Sequence, residues 1–216
     1  DPVLKVTKRE GSELLNQTGG TDIHITEDSE FVIARVKPLE NTVRKLKLEG
    51  KKKEELPKDE LLIFNPESGN ETFVSNLKSF KVPEKWSGWI AYQTEMEAET
   101  DTTKKAEKQK KESKKNGFAL TVKNLSGGSK EFPFVTEYVF AKDEKKLAFV
   151  STGDKKDFEA GVYHYDLEDG TTKPIMTGKA KYKQLSYNED GSRLAFVSDS
   201  TSTEEDRDFS LYLWNG

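Results

Sequence analysis

The sequence contains no cysteine. That absence excludes a disulfide framework, a thiolate zinc cluster and a thiol nucleophile. Histidine is nearly absent too, with only His24 and His164. Both fall in apolar segments that read as strands, so each is expected to be a packed or sheet-face residue rather than a base or metal ligand. No run approaches the roughly 18 consecutive apolar residues of a spanning helix, and no membrane span is expected. The serine elbow Gly-x-Ser-x-Gly, the zinc pair His-Glu-x-x-His and the calcium loop Asp-x-Asp-x-Asp-Gly are all missing. No catalytic residue, no metal site and no cofactor is therefore expected. Neither sign of charge predominates, with 35 Lys and Arg against 39 Asp and Glu for a formal net charge of -4. The two signs are interspersed, which argues against a nucleic-acid partner. The chain opens Asp1-Pro2-Val3 with neither an initiating Met nor a signal-peptide pattern, as a processed or cut chain would.

What the sequence does have is repetition. The segment Tyr138-Val139-Phe140-Ala141-Lys142-Asp143-Glu144-Lys145-Lys146-Leu147-Ala148-Phe149-Val150 reads as two apolar strands around a polar turn. It recurs as Leu185-Ser186-Tyr187-Asn188-Glu189-Asp190-Gly191-Ser192-Arg193-Leu194-Ala195-Phe196-Val197. Weaker copies run from Phe80 to Tyr92 and from Ile23 to Ala34. A second motif follows each hairpin: a strand ends in a polar anchor, a glycine turn follows, and another strand begins. The anchors are Thr7, Asn65, Asn124, Asp166 and Asn215, spaced 42 to 59 residues apart. Asp169-Gly170 and Asp190-Gly191 supply residues that tolerate the positive φ of a tight reversal.

The runs Leu-Ala-Phe-Val are continuously apolar instead of alternating, as in a strand buried on both faces. The small alanine in mid-run lets a neighbouring sheet approach closely. Four short strands per repeat of this length predict an all-β chain, a partial β-propeller made of four-stranded antiparallel blades. A β-sandwich also buries its strands, but it seldom repeats a sequence motif. Assigning strands A to D in each repeat places a partial blade at 1–18, whole blades at 21–76, 77–136 and 137–178, and a partial blade at 180–216. Such a piece leaves open sheet edges, so edge-to-edge pairing, within the chain or between copies as a homo-oligomer, is expected.

Two inserts interrupt the repeat between strands B and C. Residues 37–58 carry Lys51-Lys52-Lys53-Glu54-Glu55, and residues 95–116 are almost wholly Lys, Glu, Thr and Ala. Both read as solvated loops with partial helix, since glutamate matches the lysines and no aromatics are interleaved for stacking. Gly127-Gly128-Ser129 reads as a hairpin turn. Trp86, Trp89 and Trp214 fall at repeat positions and are assigned to packing. Three segments beginning at Asn16, Asn70 and Asn124 fit the glycosylation sequon, a pattern common by chance. One acidic pair, Glu204 and Glu205, stands out as a weak candidate for substrate contact, because paired carboxylates can hold a peptide's ammonium group. A charged loop tip is the alternative account.

Three stretches carry a family likeness: Phe132-Pro133-Phe134-Val135-Thr136-Glu137-Tyr138-Val139-Phe140-Ala141, Lys146 to Asp154, and Phe158-Glu159-Ala160-Gly161-Val162-Tyr163. With the insert ending Lys53-Glu54-Glu55-Leu56-Pro57-Lys58-Asp59, they resemble the N-terminal β-propeller of prolyl oligopeptidase family serine peptidases, in particular exported members from Bacteroidetes. The resemblance implies a non-catalytic propeller that caps a C-terminal α/β-hydrolase domain of the same protein and gates or orients peptide substrates. It also implies a periplasmic or otherwise exported location in a Gram-negative bacterium. The hydrolase domain would carry the Ser-Asp-His triad. In dipeptidyl-peptidase relatives a glutamate pair on a propeller insert binds the substrate amine, but Glu204 and Glu205 lack the aromatic and helical surroundings of that pair. The alternative function is a stand-alone propeller of the TolB or WD-repeat kind that acts as a protein or ligand binding scaffold.

Overall fold

The structure, a computed structural model, describes residues 1–95, 117–153, 158–202 and 208–216. These group into two compact units, one of residues 1–82 and 92–95 and one of residues 83–91 with the described residues from 117 onward. Among the described residues only one α-helix and one short 3-10 turn interrupt the strands.

In the first unit, β1 (Val3–Thr7) and β2 (Glu13–Thr18) form a hairpin. Next come β3 (Gly20–Ile25), β4 (Val32–Val36), β5 (Glu60–Asn65) and β6 (Asn70–Val74), an antiparallel sheet in chain order. The β4–β5 connection carries α1 (Glu40–Leu48) and the 3-10 turn Lys53–Glu55. Neither buries any residue, so the lysine-rich insert is a solvated, partly helical excursion. Leu4 and Leu15 from the hairpin pack on Val32, Ala34, Val36, Leu62 and Phe64. On the opposite face of the sheet Ile33, Leu61 and Ile63 are buried too, and β7 (Leu77–Lys81) lies against β5.

β7 opens a seven-stranded antiparallel sheet that runs on through β8 (Trp89–Thr94), β9 (Phe118–Asn124), β10 (Ser129–Phe140), β11 (Lys146–Ser151), β12 (Gly161–Asp166) and β13 (Thr172–Thr177) in sequence order. β10 is long because it serves two partners in turn. Its residues Ser129 to Phe132 pair with β9, and Glu137 to Phe140 pair with β11. Val135 at the junction faces both Phe118 and Ser151. The chain bends there through Phe134, whose φ of 53° is left-handed. The Ser151 hydroxyl holds the bend by donating to the Pro133 carbonyl at 2.8 Å. The last sheet is β14 (Tyr182–Tyr187), β15 (Arg193–Ser198) and β16 (Ser210–Asn215).

The repeat is visible in the packing. Leu147 and Phe149 of β11 join Leu120, Val122, Phe132 and Tyr165 on one face. Ala148 and Val150 join Tyr182, Leu185, Leu194 and Phe196 on the other. β11 is thus buried on both faces, as its continuous apolar run requires. There the seven-stranded sheet presses on the last sheet, and the absence of bulk at Ala148 allows it. Asp190-Gly191 and Asp169-Gly170 close the expected turns, with Gly191 at φ 65° and Gly170 at φ 73°.

Two strand-opening bulges also match. β3 and β14 are both six residues long, and each slips register around its third residue. Those residues, Asp22 at φ 50° and Gln184 at φ 59°, are left-handed without being glycine. At the second bulge the Glu137 carboxylate of β10 accepts both freed amides, from Gln184 and Leu185, at 2.8 Å each. Such charge-assisted bonds hold a conformation that an L side chain otherwise disfavours.

Candidate functional site: a polar cleft on the rim of the first four-stranded sheet

Near the end of β4, Arg35 meets Asp59, the residue just before β5, in a close pair of opposite charge. Arg35 donates from Nη1 to Asp59 Oδ2 at 2.9 Å, and its Nε lies 3.8 Å from Asp22 Oδ2. The guanidinium sits over the Phe80 ring, 6.0 Å from its centroid, in a cation–π contact. The register explains the meeting: Arg35 stands opposite Thr21 on β3 and Leu61 on β5, so the flanking acids Asp22 and Asp59 reach it from either side. His24, two residues beyond Asp22, places Nε2 3.3 Å from Asp22 Oδ1 and meets the Phe80 ring edge-on at 5.4 Å. It is an exposed sheet-face residue, as the sequence suggests.

Just beyond this network a cleft of about 350 Å³ opens on the rim, lined by Val36, Lys37, Pro38, Pro57, Lys58, Glu60, Ser75 and Asn76. It forms because the connection carrying α1 leaves at Pro38 and returns at Pro57, while the β6–β7 turn passes through Ser75 and Asn76. The two prolines have fixed φ and no amide hydrogen, so they make stiff walls. Most of the cleft's charge is already engaged. Lys58 pairs with Glu95 at 3.0 Å, and Glu60 accepts from the Ser75 hydroxyl at 3.0 Å. Asn76 has a left-handed φ of 60°, and its carbonyl accepts the Glu95 amide at 2.7 Å. Lys37 is exposed and makes no ion pair among the described residues. The cleft therefore offers one uncommitted ammonium between apolar walls, suited to a carboxylate on an extended ligand.

His164 has the opposite setting. It is buried on β12, its Nδ1 is 2.8 Å from the Tyr187 hydroxyl, and its ring packs on Trp214 at 5.0 Å. Burial holds its pKa below the usual histidine value, so it stays neutral. Burial raises the Tyr187 phenol well above its ordinary range, so its hydroxyl stays protonated beside the imidazole. This is core packing, as the sequence suggests. Trp86 is likewise structural, its indole N–H bonded to the Ala141 carbonyl at 3.1 Å.

Glu204 and Glu205 lie outside the described residues. Among the described residues no three histidine or acidic side chains gather to hold a metal ion, and no helix is long and apolar enough to cross a membrane. Arg35, Asp59 and Lys37 escaped the sequence reading. A signal existed for the first, because Arg35 is the lone charge inside the apolar run Phe31 to Val36. Asp59 and Lys37 were hidden in the general charge of the insert.

No family model matches the sequence, and no curated protein does. Among solved structures the chain resembles the tricorn protease, at 11% identity over 93% of this chain and 18% of that one, with a TM-score of 0.51. It also resembles the β-propeller domain of the trilobed protease from Pyrococcus furiosus, at 14% identity over 91% of this chain and 54% of that one, with a TM-score of 0.46. A third likeness is to TolB from Acinetobacter baumannii, at 10% identity over 99% of this chain and 46% of that one, with a TM-score of 0.46. The chain thus spans about half or less of each protein. At such identities the likeness speaks for fold alone. Sheets that bury both faces and repeat the same motif, together with the fold likeness to the tricorn protease, make the chain a partial β-propeller of four-stranded antiparallel blades.

Proposed function

We propose that this chain is the non-catalytic propeller portion of an exported serine peptidase resembling prolyl oligopeptidases, and that it holds and orients peptide substrates for a hydrolase domain of the same protein. In this reading the blades are 21–76, 77–136 and 137–178, flanked by partial blades at 1–18 and 180–216. Ser129 to Phe132 of β10 then closes one blade, and Glu137 to Phe140 opens the next. The fold shared with the tricorn protease supports a peptidase context, as do the motifs from Phe132 to Ala141 and from Phe158 to Tyr163.

The observation that carries the substrate role is the rim cleft. A peptide laid between Pro38 and Pro57 would place a carboxylate, terminal or from an acidic side chain, on the Lys37 ammonium. The Asn76 side chain would meet its backbone. The Arg35–Asp59 pair behind the cleft keeps the two walls in register. Calorimetric titration of a short proline-containing peptide with a free C-terminus should show binding that weakens about tenfold in Lys37→Ala, the usual scale for one charge-assisted bond. Amidating the peptide should cost the native chain as much and cost Lys37→Ala nothing further. Equal affinity of native and Lys37→Ala chains for the free peptide would overturn the assignment of the cleft.

A further inference from the structure

Lysine and proline stand side by side on both walls of the rim cleft, as Lys37-Pro38 and as Pro57-Lys58. The two ammonium groups are nonetheless in different states. Lys37 is exposed and makes no ion pair among the described residues. Lys58 Nζ lies 3.0 Å from Glu95 Oε2, and each of these side chains is 32% exposed. Among the described residues no other lysine ion pair has both partners so covered. Fully exposed pairs contribute little, because water and salt screen them. The Lys58–Glu95 pair is partly sheltered from both.

Main-chain bonds fix Glu95 beside the cleft. Its amide donates to the Asn76 carbonyl at 2.7 Å, and the amide of the next residue, Leu77, donates to the Asp59 carbonyl at 2.7 Å. The segments that carry Lys58, Asn76 and Glu95 are thereby laced together. Only side-chain torsions remain to be ordered when the ion pair forms. The other acid on the cleft wall, Glu60, accepts from the Ser75 hydroxyl at 3.0 Å. A ligand carboxylate can take the Lys37 ammonium without disturbing any of these bonds. A second one would meet Glu60 and Glu95 with no free cation to receive it.

We propose that Glu95 is a specificity-determining residue of the cleft. It holds Lys58 as an internal carboxylate, so the cleft takes a peptide end with one carboxylate and rejects an end with two. The single carboxylate goes to Lys37. An acidic side chain next to it must either displace Glu95 from Lys58 or stand unpaired beside two like charges. The inference rests on the peptide reading of the cleft, but it concerns selectivity, which that reading leaves open.

The test compares two short proline-containing peptides with free C-termini, one ending in glutamate and the other in glutamine. Calorimetric titration of the native chain should favour the glutamine peptide by about threefold, the scale of one partly exposed charge contact. Glu95→Gln frees Lys58 and removes a repulsion, so the preference should swing by about tenfold toward the glutamate peptide. Adding Lys58→Ala should withdraw most of that swing. A native preference for the glutamate peptide, or the same ratio in the native and Glu95→Gln chains, would overturn the proposal. Lys37→Ala separates the two readings. If it weakens both peptides while Glu95→Gln leaves their ratio fixed, the cleft binds peptide and Glu95 does not select. If Lys37→Ala changes neither affinity, the assignment of the cleft falls and this inference with it.

Discussion

The Glu137 clamp offers a sharp test of how successive sheets are fastened. Glu137 reaches from β10 to the bulge of β14 and accepts two amide hydrogens at 2.8 Å each. The two bonds differ in worth. The one to Gln184 lies at the surface, where water replaces a lost acceptor. The one to Leu185 is half-buried, and Leu185 itself is only 8% exposed, so its amide would be left poorly solvated. Glu137→Ala should then cost about 2–3 kcal/mol, mostly from the Leu185 amide, by the usual cost of a lost charge-assisted bond and an unsatisfied donor. Glu137→Gln keeps one acceptor and should cost about half as much. Urea unfolding followed by tryptophan fluorescence measures both, and amide exchange at Gln184 and Leu185 locates the effect. Because Gln184 sits at φ 59°, Gln184→Gly relieves a left-handed backbone and should be close to neutral. Loss of less than about 0.5 kcal/mol in Glu137→Ala would refute the clamp, as would unchanged exchange at those two amides.

Other expectations follow from the packing and the buried histidine. Ala148→Leu forces bulk between two sheets and should destabilise by about 1–3 kcal/mol, whereas Ala195→Leu, at the equivalent half-covered position, should be nearly neutral; equal costs in thermal unfolding would contradict the assigned faces. Gly161→Ala would bring a Cβ within 2.4 Å of the Met176 carbonyl oxygen, so it should part β12 from β13 and lower stability by about 2 kcal/mol or more. His164 has its folded pKa lowered by burial, so its contribution is present above the unfolded value near 6.5 and is lost as pH falls below it. Stability measured from pH 7 downward should therefore decline below about 6.5 by at most about 1.4 kcal/mol per pH unit from this group. His164→Gln should remove that part of the slope, and an unchanged slope would show that another group causes it.

Much of the fold could be read from the chain because the repeat writes the same physics several times. The run Leu147 to Val150 is apolar at every position, and the structure buries it on both faces. Asp-Gly pairs mark reversals that the backbone makes. The bulges were not legible, since Asp22 and Gln184 are left-handed without glycine. Their cause is tertiary: at Gln184 a carboxylate 47 residues earlier in the chain holds the amides. Nor does local sequence announce that β10 runs unbroken through Pro133 and Phe134, because proline and a positive φ usually end a strand. The rim cleft was the least legible feature. Its walls are residues of a charged insert that resembles any solvated loop, and only the return of the chain at Pro57 brings them to Lys37 and Ser75. Glu204 and Glu205 drew notice by adjacency alone, whereas the Arg35 network assembles from three different strands.

The peptidase reading is tested most directly by the coding sequence beyond Gly216. It predicts an α/β-hydrolase domain in the same open reading frame, with a Gly-x-Ser-x-Gly elbow followed in order by an aspartate and a histidine. A stop codon soon after Gly216, or a downstream domain without that constellation, would contradict it.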